Sequence, residues 1–258
     1  MTTPAPDNRA SWDAISRAYQ DTLGWPSDRL TWGIRCPPEN ELRLLGNVGG
    51  KRALVLGCGG GQDILALWKM GAKQITGVDI SGAQLEHAIR LLDGAGVTAR
   101  LIHRSVEDLS TIENDSVDFA VSIHALNYVE RADHCFAETH RVLVPGGVFA
   151  LSVQHPADAS TGDDPPFGFE KPYFQAEFDW RWKGLSDDEM PFRSYYRTVA
   201  DWFDLLRGAG FAVERLLEPV ATDDPAHRAT GWGDKNDYLK YETVPGALIF
   251  VARRPEEE

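Results

Sequence analysis

Short apolar runs recur along the first 155 residues, and stretches with helical spacing separate them. Residues 53–56, 75–78, 100–103, 117–123 and 147–153 read as strands. The first is unbroken in its hydrophobicity, as expected for a parallel strand covered by helices on both faces. Between the runs, residues 64–70 resume as a helix, and Ser81 is placed to cap a second one carrying Leu85, Ala88, Ile89 and Leu92. Residues 132–143 set Phe136, His140 and Leu143 on one helical face. Strand and helix in alternation predict a doubly wound α/β sheet. Upstream, Ser11 is placed to cap a helix whose Trp12, Ile15 and Tyr19 share a face. Gly24-Trp-Pro26 breaks it, and a short helix over 39–45 follows. Downstream, Val199, Trp202, Phe203 and Leu206 mark one more helix, and 212–217 and 247–252 the last two strands.

Four glycines, at 57, 59, 60 and 61, join the first strand to its helix. Glycines there let the backbone turn sharply and let a ligand approach it closely. Asp79 ends the second run, where such folds present a carboxylate to a ribose. A dinucleotide fingerprint would place glycine or alanine where Gln62 stands, and no Gly-Lys-Ser/Thr of a P-loop follows. A nicotinamide oxidoreductase is disfavoured further because no Tyr-x-x-x-Lys pair is present.

Leu56-Gly-Cys-Gly-Gly-Gly61, Val78-Asp79-Ile80-Ser81, Asp118-Phe-Ala-Val-Ser122 and Pro145-Gly-Gly147 occur in that order. Together they resemble the motifs of class I S-adenosylmethionine-dependent methyltransferases, of the small-molecule type similar to the ubiquinone- and biotin-pathway group. The resemblance covers about residues 8–253. It implies a Rossmann-like sheet of seven mostly parallel strands with the last antiparallel, and S-adenosyl-L-methionine as cofactor. It also implies a cofactor site made by Tyr19, Gly57, Cys58, Gly59, Gly61, Gln62, Asp79, Ile80, Gln84, Val106, Glu107 and Ser122. One departure stands out: Val55 occupies the position where the family carries an acid that holds the methionine ammonium. The Gly57 carbonyl, Asp63 and the N-terminal segment are the candidate substitutes.

The chain divides on this reading into an N-terminal helical lid (1–45), a cofactor-binding core (46–156), an inserted cap (157–200) and the completion of the sheet (201–255). Positions 167–203 hold twelve of the 26 aromatic residues, a composition that suits a lid over a small, apolar or aromatic acceptor. The contrary reading is a satellite core or a homodimer contact. Trp32 is read as either a core anchor or a wall of the site. His155 and His124, at strand ends, are the candidate bases, since imidazole is the side chain that ordinarily titrates near neutral pH, and Tyr196 and Tyr128 the candidate orienters. No Asn-Pro-Pro-Tyr motif is present, which favours a small molecule methylated at nitrogen or oxygen. A binding module that kept the fold without catalysis is the alternative from another class.

A net charge of −13 disfavours nucleic acid as partner. Cys36, Cys58 and Cys135 have no metal-site spacing, and Cys58 fits the turn as a small residue. No metal site is expected. No apolar run is long enough to cross a membrane, so a soluble, cytoplasmic protein is expected.

Overall fold

Strand β1 (Arg52–Leu56) takes the middle of the sheet because both of its faces are apolar. Ala53 and Val55 enter one core cluster and Leu54 and Leu56 the other, as the twofold period of a strand requires. Each of these larger side chains, fully buried, contributes about 1.5–3 kcal/mol of transfer free energy. The computed structural model describes residues 5–23, 25–183, 189–222 and 235–256.

Strands β2 (Gln74–Asp79), β3 (Arg100–His103), β4 (Val117–Ile123), β5 (Leu143–Gln154), β8 (Ala212–Leu217) and β9 (Ala247–Arg253) complete the main sheet. The order among the described residues is β3-β2-β1-β4-β5-β9-β8. The β1–β2, β2–β3, β1–β4 and β4–β5 pairs are parallel, whereas β9 runs antiparallel to both its neighbours. This is the Rossmann-like methyltransferase fold, seven-stranded and mostly parallel. Helices α3 (Gln62–Lys69) and α4 (Gly82–Gly94) cover one face, and α5 (Ala132–Val142) and α7 (Val199–Gly208) the other. Ser81 caps α4 as expected, its hydroxyl accepting from the Gln84 amide. The connection after β5 is a short helix, α6 (Pro156–Ser160), and α8 (Lys235–Thr243) precedes β9.

Three local expectations change. Helix α1 (Asn8–Leu23) starts before Ser11: the Asp7 carboxylate accepts from the Arg9 and Ala10 amides, while the Ser11 hydroxyl donates to the Pro191 carbonyl at 2.5 Å. A tertiary partner claimed the serine, and the acid took the cap. The short helix at 39–45 stops early, at α2 (Glu39–Leu42), because the buried Glu39 carboxylate accepts from the Leu44 and Leu45 amides and from the Trp32 indole. Trp32 is accordingly a fully buried core anchor. The aromatic segment contains a regular antiparallel hairpin, β6 (Glu177–Trp182) and β7 (Met190–Tyr195). Gly24, Asp187, Asp188, Trp232 and the side chain of Tyr238 lie outside the described residues.

Helix α1 lies between this hairpin and α4. On one side the Asn8 amide exchanges hydrogen bonds with the Arg193 backbone, and Trp12 meets Phe192 and Trp182 edge-on. On the other, Asp13 accepts from the Ser81 hydroxyl and the Ala83 amide.

Candidate active site

A cavity of about 420 Å³ opens where β1, β2, β3 and β4 end. Loops at the C-terminal strand edge are where doubly wound sheets bind ligands. Its floor is the glycine turn, and a Cβ added at Gly59 (φ +48) would meet nothing nearer than the Gln84 side-chain oxygen at 3.8 Å. The space above Gly59 is therefore free for a ligand to lie against the backbone. At Gly60 a Cβ would collide with the Gln20 amide at 2.5 Å. Gln20 reaches down from α1, donates to Gln84 at 2.7 Å and accepts from Gln62. The three amides thus join α1, α3 and α4 beside the turn.

Asp79 is almost fully buried, and its carboxylate accepts from the Gly59 and Ser81 amides at 2.8 and 2.9 Å. Burial raises its pKa, and the two amides oppose the rise. Past the turn, Ile80, Val106 and Glu107 also line the cavity, and the Glu107 carboxylate accepts from the Arg131 amide at 2.8 Å. Part of the lining is aromatic: Trp12 packs edge-on against both Tyr19 and Tyr128, and the Tyr195 hydroxyl donates to Glu130 at 3.4 Å. Tyr19 accepts from the Trp25 indole, and burial pushes its phenol up to about 12. Burial raises the Tyr128 phenol as well, so both hydroxyls stay protonated at neutral pH.

Gly57, Cys58, Gly59, Gln62, Asp79, Ile80, Gln84, Val106, Glu107, Tyr19 and His124 all line this cavity. Four other candidates do not. Gly61 (φ +86) begins α3 and abuts Ala88, so its role is helix packing. Ser122 is fully buried and donates to the Leu56 carbonyl. His155, expected beneath the acceptor, caps α6: its Nδ1 accepts from the Ala157 amide at 3.0 Å and its Nε2 lies 2.8 Å from Glu218. Both ring nitrogens are thus engaged outside the cavity. Tyr196 stacks on Phe178 and faces an adjoining open groove.

His124 reaches the cavity, but not as a base poised near neutral pH. Burial pulls its pKa down to about 4, against a hydrogen bond with the Trp32 backbone. Its Nε2 is buried without a partner and abuts Gly33, where an added Cβ would come within 2.3 Å. The low pKa leaves the ring uncharged at neutral pH, packed against Trp32 and Gly33. Residues missed from the sequence are Gln20 and Trp12. Trp12 had been assigned only to the core-facing side of its helix, whereas the Gln20 amide carried no sequence signal.

A glycine floor and a carboxylate at the end of the second strand, both at the C-terminal strand edge, are the arrangement of a nucleotide-cofactor site in a doubly wound α/β protein. Residues 54–151 match the family described as a methyltransferase domain. The chain carries a class I S-adenosylmethionine-dependent methyltransferase domain, and S-adenosyl-L-methionine is its methyl donor. An uncharacterized protein of Haemophilus influenzae is 27% identical over 227 residues, which cover 84% of this chain and 86% of that protein. The crystal structure of an S-adenosylmethionine-dependent methyltransferase from Mesorhizobium loti is 28% identical with a TM-score of 0.67, covering 83% of this chain and 96% of that one. The ubiquinone biosynthesis O-methyltransferase of Alkalilimnicola ehrlichii is 28% identical over 57% of this chain and 62% of its own length, so the match spans less than two thirds of that enzyme. No helix among the described residues is long and apolar enough to cross a membrane.

Proposed function

We propose that the protein methylates a small, apolar or aromatic molecule at nitrogen or oxygen. The observation that carries this reading is that one cavity is lined both by the glycine turn and by the aromatic cluster of Trp12, Tyr19, Tyr128 and Tyr195. The cofactor, when bound, supplies a methyl group already activated on a sulfonium. In this reading the turn at Gly59 supports it, Asp79 accepts from the ribose hydroxyls, and Ile80 and Val106 bracket the adenine. The aromatic cluster takes the acceptor. Helix α1 and the β6–β7 hairpin keep water out, and alignment of the acceptor's lone pair supplies most of the acceleration. The protonated Tyr128 hydroxyl orients the acceptor as a donor. Burial makes the His124 ring a weak base, and His155 is outside the cavity.

The test couples calorimetry to methyl transfer. S-adenosylmethionine and S-adenosylhomocysteine should bind, and NAD(H) should not. Methyl-labelled S-adenosylmethionine offered with aromatic amines, phenols and anionic acids should label members of the first two groups. Binding of NAD(H) alone, or labelling confined to nucleic acid or protein, would overturn the reading.

A further inference from the structure

The cavity holds an acid that the roles above leave unused. Among the carboxylates lining it, Asp79 is engaged by the Gly59 and Ser81 amides, Glu107 by Arg131 and Ser105, and Asp7 by the first turn of α1. Glu130 accepts from the Tyr195 hydroxyl. Asp63, in the first turn of α3, receives no hydrogen bond or ion pair from any described residue, yet it lines the cavity beside the glycine turn. Meanwhile the end of β1 offers no charge at all: Val55 is 1% exposed and packed in the core cluster with Phe119 and Ile64.

We infer that Asp63 receives the α-ammonium of the cofactor's methionine arm, the acid having moved from the end of the first strand to the first turn of the following helix. The inference rests on the cofactor site proposed above. Its physical basis is that a half-buried carboxylate facing a cavity, with no hydrogen bond or ion pair from a described residue, has lost part of its water with no partner in return, and a cation is the ligand group that relieves it. The same isolation pushes the Asp63 pKa up to about 7 through loss of water. Tyr19 faces it from α1 and Cys58 from the turn. Burial holds the tyrosine near 12 and the thiol well above its usual value, so neither changes charge near neutrality. Asp63 alone of this group then switches between a neutral acid and an ammonium partner as pH rises through 7.

Calorimetry on the full chain tests this with two ligands, S-adenosylhomocysteine and 5′-methylthioadenosine, which keeps the nucleoside and thioether but has no amino-acid arm. From pH 5.5 to 7.5 the wild type should bind S-adenosylhomocysteine at least about threefold more tightly, because the ammonium requires the ionised acid. Any contribution of Asp79 to pH dependence appears with both ligands, since both carry the ribose. Asp63→Asn should weaken S-adenosylhomocysteine at least about tenfold at pH 7.5 and abolish the pH dependence specific to it. Methylthioadenosine should bind both proteins within about twofold, which also reports a folded site. If the variant bound S-adenosylhomocysteine as the wild type does, or if the wild-type pH profiles of the two ligands coincided, the inference would be overturned. Failure of the cofactor site itself looks different, since the wild type would then bind neither ligand. Should the variant not fold, the pair of wild-type pH profiles decides the matter alone.

Discussion

The glycine turn and the aromatic cluster, which line one cavity, are built in opposite ways. The part around the glycine turn, the proposed cofactor site, rests mainly on backbone groups: Gly59 donates to Asp79, 20 residues on, and the Gln20 amide is the long-range exception. The aromatic part is assembled from side chains brought together across the chain, such as Asn8 with Arg193, 185 residues apart. A site built from backbone geometry tolerates no added atoms but needs few specific side chains. A site built from converging side chains is open to substitution, and each residue in it carries only part of the binding. Substitutions should therefore act steeply at the turn and gradually at the cluster.

The steepest expected effect is at Gly59. Its added Cβ meets open space in the protein itself, so Gly59→Val should leave circular dichroism native, although the positive φ strains a β-branched residue. The valine would fill the volume where the cofactor lies on the turn. S-adenosylhomocysteine affinity should fall by more than about a hundredfold, the loss of roughly 3 kcal/mol of contact. Near-normal affinity in the folded variant would show that the ligand lies elsewhere and that the contrast between turn and cluster is wrong.

Asp79→Ala comes next. It should weaken cofactor binding at least about tenfold, since charge-assisted bonds to the ribose are removed. The carboxylate also holds the Gly59 and Ser81 amides, so part of the effect passes through the turn. An unchanged dissociation constant would dismiss Asp79 as the ribose partner.

What was legible in the sequence follows the same division. The strand order and the glycine turn were readable because apolar runs and glycine spacing are local signals. So was Asp79, placed by the end of one such run. The aromatic cluster was legible only as composition. Phe178, Trp180 and Trp182 alternate with exposed Glu177, Asp179 and Arg181 in β6, a period-two signal that the surrounding prolines and glycines obscured. The role of Gln20 had no local signature, because its partners come from α3 and α4. The contacts of His155 were hidden for a related reason. Its position after β5 was correct, but nothing local showed that the following proline would begin α6 and draw the imidazole into its cap.

Trp12 sharpens the comparison from the other side. It touches Tyr19, Tyr128, Trp182 and Phe192, so Trp12→Ala removes the hub of the aromatic cluster while leaving the turn alone. For an acceptor identified by methyl transfer, KM should rise about fivefold, with S-adenosylhomocysteine affinity within about twofold of wild type. The melting temperature should also fall, because each lost aromatic pair is worth about 0.5–1.5 kcal/mol beyond burial. A variant that lost cofactor and acceptor binding together would mean that turn and cluster are one coupled unit.

The smallest expected effect belongs to His155. The imidazole lies outside the cavity, with Nδ1 accepting from the Ala157 amide and Nε2 facing Glu218. Its contribution is therefore to the cap of α6 and to the attachment of the strand end that follows β8. Replacing a helix cap costs about 1 kcal/mol, which in a chain of this size is a melting shift of roughly 2–4 °C. His155→Gln should show that shift, with kcat and KM within about threefold of wild type. A general base would behave otherwise, since its loss lowers kcat by about a hundredfold or more and removes a titration from the pH–rate profile. A fall of that size at unchanged melting temperature would put His155 at the reacting atoms. The cavity would then have to extend past Asn127, whose side chain accepts from the Gln154 amide at 3.0 Å between the two.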